Sequence, residues 1–242
     1  MNNRVAFLPA FLASHRMALR MLLALPAVAV ALIGIELVQH AVEWRIGMFD
    51  SLVAAQATEL HPARIALGTI KLVILNVIGF VAIRFAWSGG DAAFAVRPSR
   101  RALLLFAPVI GFELAFAALD RFLVPTEHAI TSMIVGMALM PFLFRWMAGA
   151  AIGRFVDPRR SASAMLPHLP WAFAFTLASM LPLMVVHYAL FFATIGQPPA
   201  VAGALLFLDA LVVGWLGPML AVAQLATALR AGPLEEVRAA AA

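Results

Sequence analysis

Apolar runs of about 20 residues, each closed by a short polar cluster, recur six times along this chain, and a run of that length is what a helix needs to cross a bilayer. They cover residues 21–44, 63–87, 102–123, 129–152, 171–195 and 201–229. The polar breaks carry turn chemistry: Ser88, Gly89, Gly90 and Asp91 after the second run, and Asp157, Pro158, Arg159 and Arg160 after the fourth. Gly232 and Pro233 stop the sixth run. Ahead of the first run, Arg4, Arg16 and Arg20 are interleaved with Val5, Phe7, Leu8, Phe11 and Leu12, the pattern of a segment lying in the membrane interface. Pro9 is expected to bend or end any helix there. Residues 45–62, the longest connection, mix Arg45, Asp50, Glu59 and His61 with Ile46, Met48, Phe49, Leu52 and Val53, which predicts a short amphipathic surface helix. A cleaved signal peptide is the rival reading of the first run, given its basic start and Ala27, Ala29 and Ala31. The apolar run continues beyond those residues and five more follow, which favours a retained crossing.

The expected architecture is therefore an all-α, polytopic membrane protein: an interfacial segment at 1–20, a single six-transmembrane-helix bundle at 21–230 and a tail at 231–242. Composition agrees. Hydrophobic residues form 64% of the 242 and charged residues 12%, with a mean hydropathy of +0.98, whereas soluble domains are about 45–50% apolar and 25% charged. The net charge of +5 does not point to nucleic acid, because the arginines are scattered through short loops rather than gathered on one face. Anionic lipid headgroups are the expected counter-charge. Sixteen Arg against one Lys fits a GC-rich bacterial coding bias. Absence of cysteine excludes disulfides, thiolate zinc sites, iron–sulfur ligation and cysteine nucleophiles.

Loop arginines set an expected orientation, since Lys and Arg accumulate on the cytoplasmic side. With both termini cytoplasmic, the inner segments hold Arg4, Arg16, Arg20, Arg84, Arg97, Arg100, Arg101, Arg154, Arg159, Arg160, Arg230 and Arg238, and the outer ones only Arg45, Arg64 and Arg121. Trp44, Trp87 and Trp171 fall near span ends, as interfacial anchors do. The expected location is the inner membrane of a bacterium, with the bilayer as partner, room for a partner subunit or homo-oligomer, and no cofactor implied.

Charge inside the apolar runs is where function is expected. A charged side chain at the bilayer centre costs at least ~2.5 kcal/mol, so such residues turn inward and find partners. Glu36, Lys71, Glu113, His187 and Asp209 each lie roughly eight to ten residues from the outer end of a span, about 12–15 Å, and are read as one intramembrane polar layer for a substrate or ion. Lys71 is the natural partner of one or two of the acids, with Arg145, protonation or a bound cation balancing the rest. The fourth span offers only Gly136 and Met137 at that depth. Two local segments resemble each other, Gly34-Ile35-Glu36-Leu37 and Gly111-Phe112-Glu113-Leu114, each followed seven residues later by an acid, Glu43 or Asp120, which suggests tandem hairpins. Pro108, Pro141, Pro182 and Pro218 are expected to interrupt spans three to six and free backbone carbonyls.

Glu36, His40 and Glu43 stand at i, i+4 and i+7, on one helix face. They are metal candidates, with His61, Asp120 or His128 as further ligands. Met133, Met137, Met140 and Met147 repeat at spacings that suit core packing more than thioether ligation. No phosphate loop, His-Glu-x-x-His or Gly-x-Ser-x-Gly motif occurs, and Ser179 and His187 are two turns apart, too far for a nucleophile and base. The sequence thus points to a small permease or permease-like subunit. A non-transporting membrane scaffold is the alternative, for which the polar layer would be interhelical glue, and an intramembrane enzyme is the third.

Overall fold

The computed structural model describes residues 6–123 and 129–234, apart from the side chains of Arg121, Leu123, Ala129, Ile130 and Met133. Sequence readings on Arg4, Val5, His128, Arg238 and the side chains of Arg121 and Met133 lie outside the described residues. The described residues are 85% helical and contain no strand. Among the described residues, six stretches are long and apolar enough to cross a membrane.

The elements are α1 (Phe7–Ala24), α2 (Pro26–Arg45), α3 (Leu52–Ala57), α4 (Pro62–Trp87), α5 (Ala92–Val96), α6 (Arg100–Leu123), α7 (Ala129–Leu139), α8 (Phe144–Ala151), α9 (Pro158–Met165), α10 (Leu169–Thr194) and α11 (Pro199–Arg230). The start of the chain differs from expectation. Pro9 neither bends nor ends a helix, because it falls in the first turn of α1, where a missing N–H costs nothing. The first crossing begins at Pro26 rather than residue 21. Leu25, preceding a proline, is pushed out of the helical region to φ −128°, ψ 68°, and Pro26 then opens α2. The connection at 45–62 contains the short helix expected there, α3, whose Ser51 side chain accepts from the Ala54 N–H. Asp91 and Asp157 cap α5 and α9 in the same way.

Of the four prolines expected to interrupt spans, only Pro141 does so, within a 3-10 turn at Met140–Leu143 between α7 and α8. Pro108, Pro182 and Pro218 sit inside continuous α6, α10 and α11.

Helix α11 is the central rod, packed by α1, α2, α4, α8 and α10. Its small residues permit that crowding: a Cβ at Gly214 would meet Ile33 at 3.2 Å, and one at Gly217 would meet Leu75 at 3.2 Å. Helix α1 lies along α11, with Ala10 and Ala18 buried against Phe175, Leu216, Met219 and Ala223. Helix α6 packs against α4 and α8.

At the end where α4 and α8 finish, arginines tie the backbone together. Arg84 is buried and donates to the carbonyls of Ala95, Ala151, Phe94 and Arg97 at 2.5–3.3 Å, with its guanidinium 4.2 Å from the centre of the Phe94 ring. It is a structural clasp rather than a loop charge. Arg145 donates to the carbonyls of Ala228, Gly232 and Pro233, and Arg154 to that of Leu234. Replacing Arg84 by Met keeps the bulk and removes the donors. The expected loss is about 3 kcal/mol or more, since each enclosed carbonyl left unpaired costs about 1–3 kcal/mol. Arg84→Lys recovers only part, because one ammonium cannot reproduce the planar fork. Thermal unfolding in detergent measures both variants.

Candidate functional site

At the opposite end of α4, charged side chains from α2, α4, α10 and α11 converge. Helices α2 and α4 run antiparallel, and two ion pairs share one register. Lys71 Nζ donates to Glu36 at 2.8 and 3.1 Å. Seven residues further along α2 and seven back along α4, Arg64 Nε donates to Glu43 Oε1 at 3.0 Å. Residues seven apart lie on one helix face, so the pairs act as two rungs between the helices.

His40 lies between the rungs. Its Nδ1 is 3.0 Å from Glu43 Oε2 and its Nε2 is 3.1 Å from Asp209 Oδ2, with Glu36 Oε1 3.7 Å from the same Nε2. The other Asp209 oxygen is 2.6 Å from His187 Nδ1. Gln39 Nε2 donates to Glu43 at 2.8 Å. Glu36, His40, Glu43 and Asp209 are all at most 4% exposed, whereas Lys71 and His187 are each 20% exposed. The acids are thus enclosed while a base and an imidazole reach the opening.

That opening is a cavity of about 400 Å³, into which Glu36, Glu43, Lys71, Arg64 and His187 project. Tyr188, Phe191 and Phe192 form an aromatic wall, and Met48, Leu52, Ala55 and Gln56 close it from the α2–α3 connection and α3. The Gly196 N–H donates to the Phe49 carbonyl at 2.8 Å, and the Phe49 ring meets Phe191 edge-on at 5.5 Å. These contacts hold the closing segment against the α10–α11 turn.

Four members of the expected polar layer therefore meet: Glu36, Lys71, His187 and Asp209. Glu113 does not join them. It is half-buried on α6, whose neighbours are α4 and α8, and it has no hydrogen bond or ion pair among the described residues. Arg145 is committed to backbone carbonyls at the other end and does not balance the layer. Of the metal candidates, Glu36 and His40 converge with Asp209, each offering a ligand atom within 4.8 Å of the others, while Glu43 holds the far nitrogen of His40. His61 accepts from the Ala63 N–H at the start of α4, and Asp120 accepts from Ser132; neither lines the cavity. Arg64 went unassigned as a site residue in the sequence, although its seven-residue spacing from Lys71 matches that of Glu36 and Glu43. A smaller cavity, about 270 Å³, lies among α6, α7, α10 and α11; its wall is largely apolar and includes Gly136, Met137 and Met140. Ser179 is buried without a hydrogen-bond partner among the described residues and makes no pair with His187.

No family model, curated protein or solved structure matches this chain.

Three carboxylates, Glu36, Glu43 and Asp209, stand against Lys71 and Arg64. Both ring nitrogens of His40 stand at hydrogen-bond distance from carboxylate oxygens, so an imidazolium there balances the third carboxylate and a neutral ring leaves one negative charge. The pairing itself is open to test. Lys71→Met strands the enclosed Glu36 and is expected to cost about 3–5 kcal/mol. Glu36→Gln leaves Lys71 beside the open cavity and costs less. The double variant recovers most of the loss in a thermal-unfolding cycle, and strictly additive losses would refute the coupling.

Proposed function

We propose that this protein is a small permease or permease-like subunit of a bacterial inner membrane, with both termini cytoplasmic, which admits a small solute or ion to the cavity between α2, α3, α4 and α10. The observation that carries this reading is that the enclosed charges line a cavity instead of being sealed between packed helices. Interhelical pairs serving only as glue need no such space. Sites of this kind near the interior of a bundle are typical of residues that mark substrate or ion pathways.

Orientation follows from the arginine-rich connections. If these face the cytoplasm, α2 enters from that side, and its 36–43 end, with the cavity, opens towards the outside. The three carboxylates favour a cationic solute or coupling ion that can replace a proton on His40, and the aromatic wall of Tyr188, Phe191 and Phe192 offers ring faces to an organic cation as well.

Proteoliposomes carrying the full chain and loaded with a pH-sensitive dye can be challenged with a panel of inorganic ions, small amines and amino acids. Flux of at least one of these is expected for the wild type. Lys71→Met and Asp209→Asn are expected to reduce it at least about tenfold, the scale at which lost binding partners of a buried charge act. Wild-type vesicles indistinguishable from protein-free vesicles across the panel would replace the permease with a scaffold.

A further inference from the structure

We infer that Glu36, His40 and Asp209 form a site for one divalent first-row transition-metal ion of the zinc or manganese type. The site stands on its own geometry; that the ion is what the cavity moves, or is driven by, rests on the permease reading.

Two of the ligand separations lie close to those of a metal site. Metal bonds of about 2.0–2.2 Å place the ligands of a tetrahedral ion about 3.3–3.5 Å apart. His40 Nε2 is 3.1 Å from Asp209 and 3.7 Å from Glu36, and all three ligand atoms fall within 4.8 Å of one another. Three protein ligands with the cavity on the remaining side leave a fourth position open, as in zinc sites that bind and release.

Each ligand also has an outer partner. Glu43 is hydrogen-bonded to His40 Nδ1 and is itself held by Arg64 and Gln39. His187 takes the far oxygen of Asp209, and Lys71 donates to both Glu36 oxygens, at 2.8 Å to Oε2 and at 3.1 Å to the Oε1 that faces His40. An outer carboxylate on the far nitrogen of a ligating histidine is the usual way to fix its tautomer and ring orientation. With Nδ1–H donating to Glu43, the Nε2 of a neutral His40 turns its lone pair towards the two carboxylate oxygens, and a metal ion there takes the place of the proton that an imidazolium carries.

The donor set selects the ion. One imidazole and two carboxylates suit a borderline divalent metal; the absence of thiolate and thioether donors disfavours copper(I), and the imidazole disfavours calcium.

The full-length protein, stripped with chelator in detergent or nanodiscs, should be titrated with cobalt(II) as a visible spectroscopic probe and back-titrated with zinc(II), with elemental analysis of the product. One ion per chain and visible ligand-field bands are expected. His40→Gln and Asp209→Asn should abolish the bands, Glu43→Gln should weaken binding about 10–100-fold, and Glu113→Gln should leave it unchanged. Should His40→Gln fail to fold, the Glu43 and Asp209 variants decide alone. A folded wild type that takes up no ion, or one whose affinity is unaltered in both of those variants, overturns the site. Metal bound by protein that carries neither it nor any solute of the panel into vesicles would keep the site and remove the permease reading; flux of another solute by protein that binds no metal would do the reverse.

Discussion

A charge enclosed in a bilayer must meet a partner, and this bundle satisfies that requirement in two different ways at its two ends. Where α4 finishes, Arg84 is surrounded by backbone carbonyls from α5, the chain just after it and α8. Neutral carbonyls fixed in helix ends cannot be exchanged, so the guanidinium acts as a permanent clasp. Where α4 starts, Arg64 and Lys71 meet carboxylates of α2, and those carboxylates also face histidines and a cavity. Partners there can be traded for a proton, a metal or a solute. The same physical demand therefore yields structure at one end and chemistry at the other.

Stability alone explains the second end poorly. Buried ion pairs recover little more than the cost of removing both ions from water, and apolar residues of similar volume often hold helices as well or better. Helix α11 already supplies close packing: Gly214 and Gly217 let α2 and α4 approach its backbone, and its middle is lined with buried Ala, Leu, Val and Met. Asp209 sits on that rigid rod, fully enclosed. Its position is thereby set by apolar packing, while His40 and His187 reach it from two other helices.

The membrane crossings were legible because hydropathy measures the same partition into hydrocarbon that the bilayer imposes. Helix starts were less so. Pro9 and Pro26 have opposite effects that depend on whether each falls in a first turn, and the residue preceding proline decided the boundary at Leu25. Depth along a helix located the polar layer to within a turn, which sufficed for Glu36, Lys71, His187 and Asp209. Depth says nothing about which neighbours a helix has, and that is why Glu113 was grouped with residues it does not meet. The two-rung register of α2 and α4 was present in the sequence as matching seven-residue spacings, acids on one helix and bases on the next. It becomes visible only once the two helices are taken as an antiparallel pair.

Glu36 and Glu113 sharpen the point, since each is preceded two residues back by glycine and followed by leucine. Glu36 meets the single lysine of the chain and lies beside His40; Glu113 is on a helix packed against α4 and α8 and meets no base among the described residues. The acids seven residues on diverge as well: Glu43 is enclosed between Arg64 and His40, while Asp120 is exposed and accepts from Ser132. An acidic motif in a span is thus not what makes the site. The bases of α4 in register with α2, and the acid that α11 brings to His40, are what distinguish one segment from the other, so a span lacking those neighbours carries the motif without the chemistry.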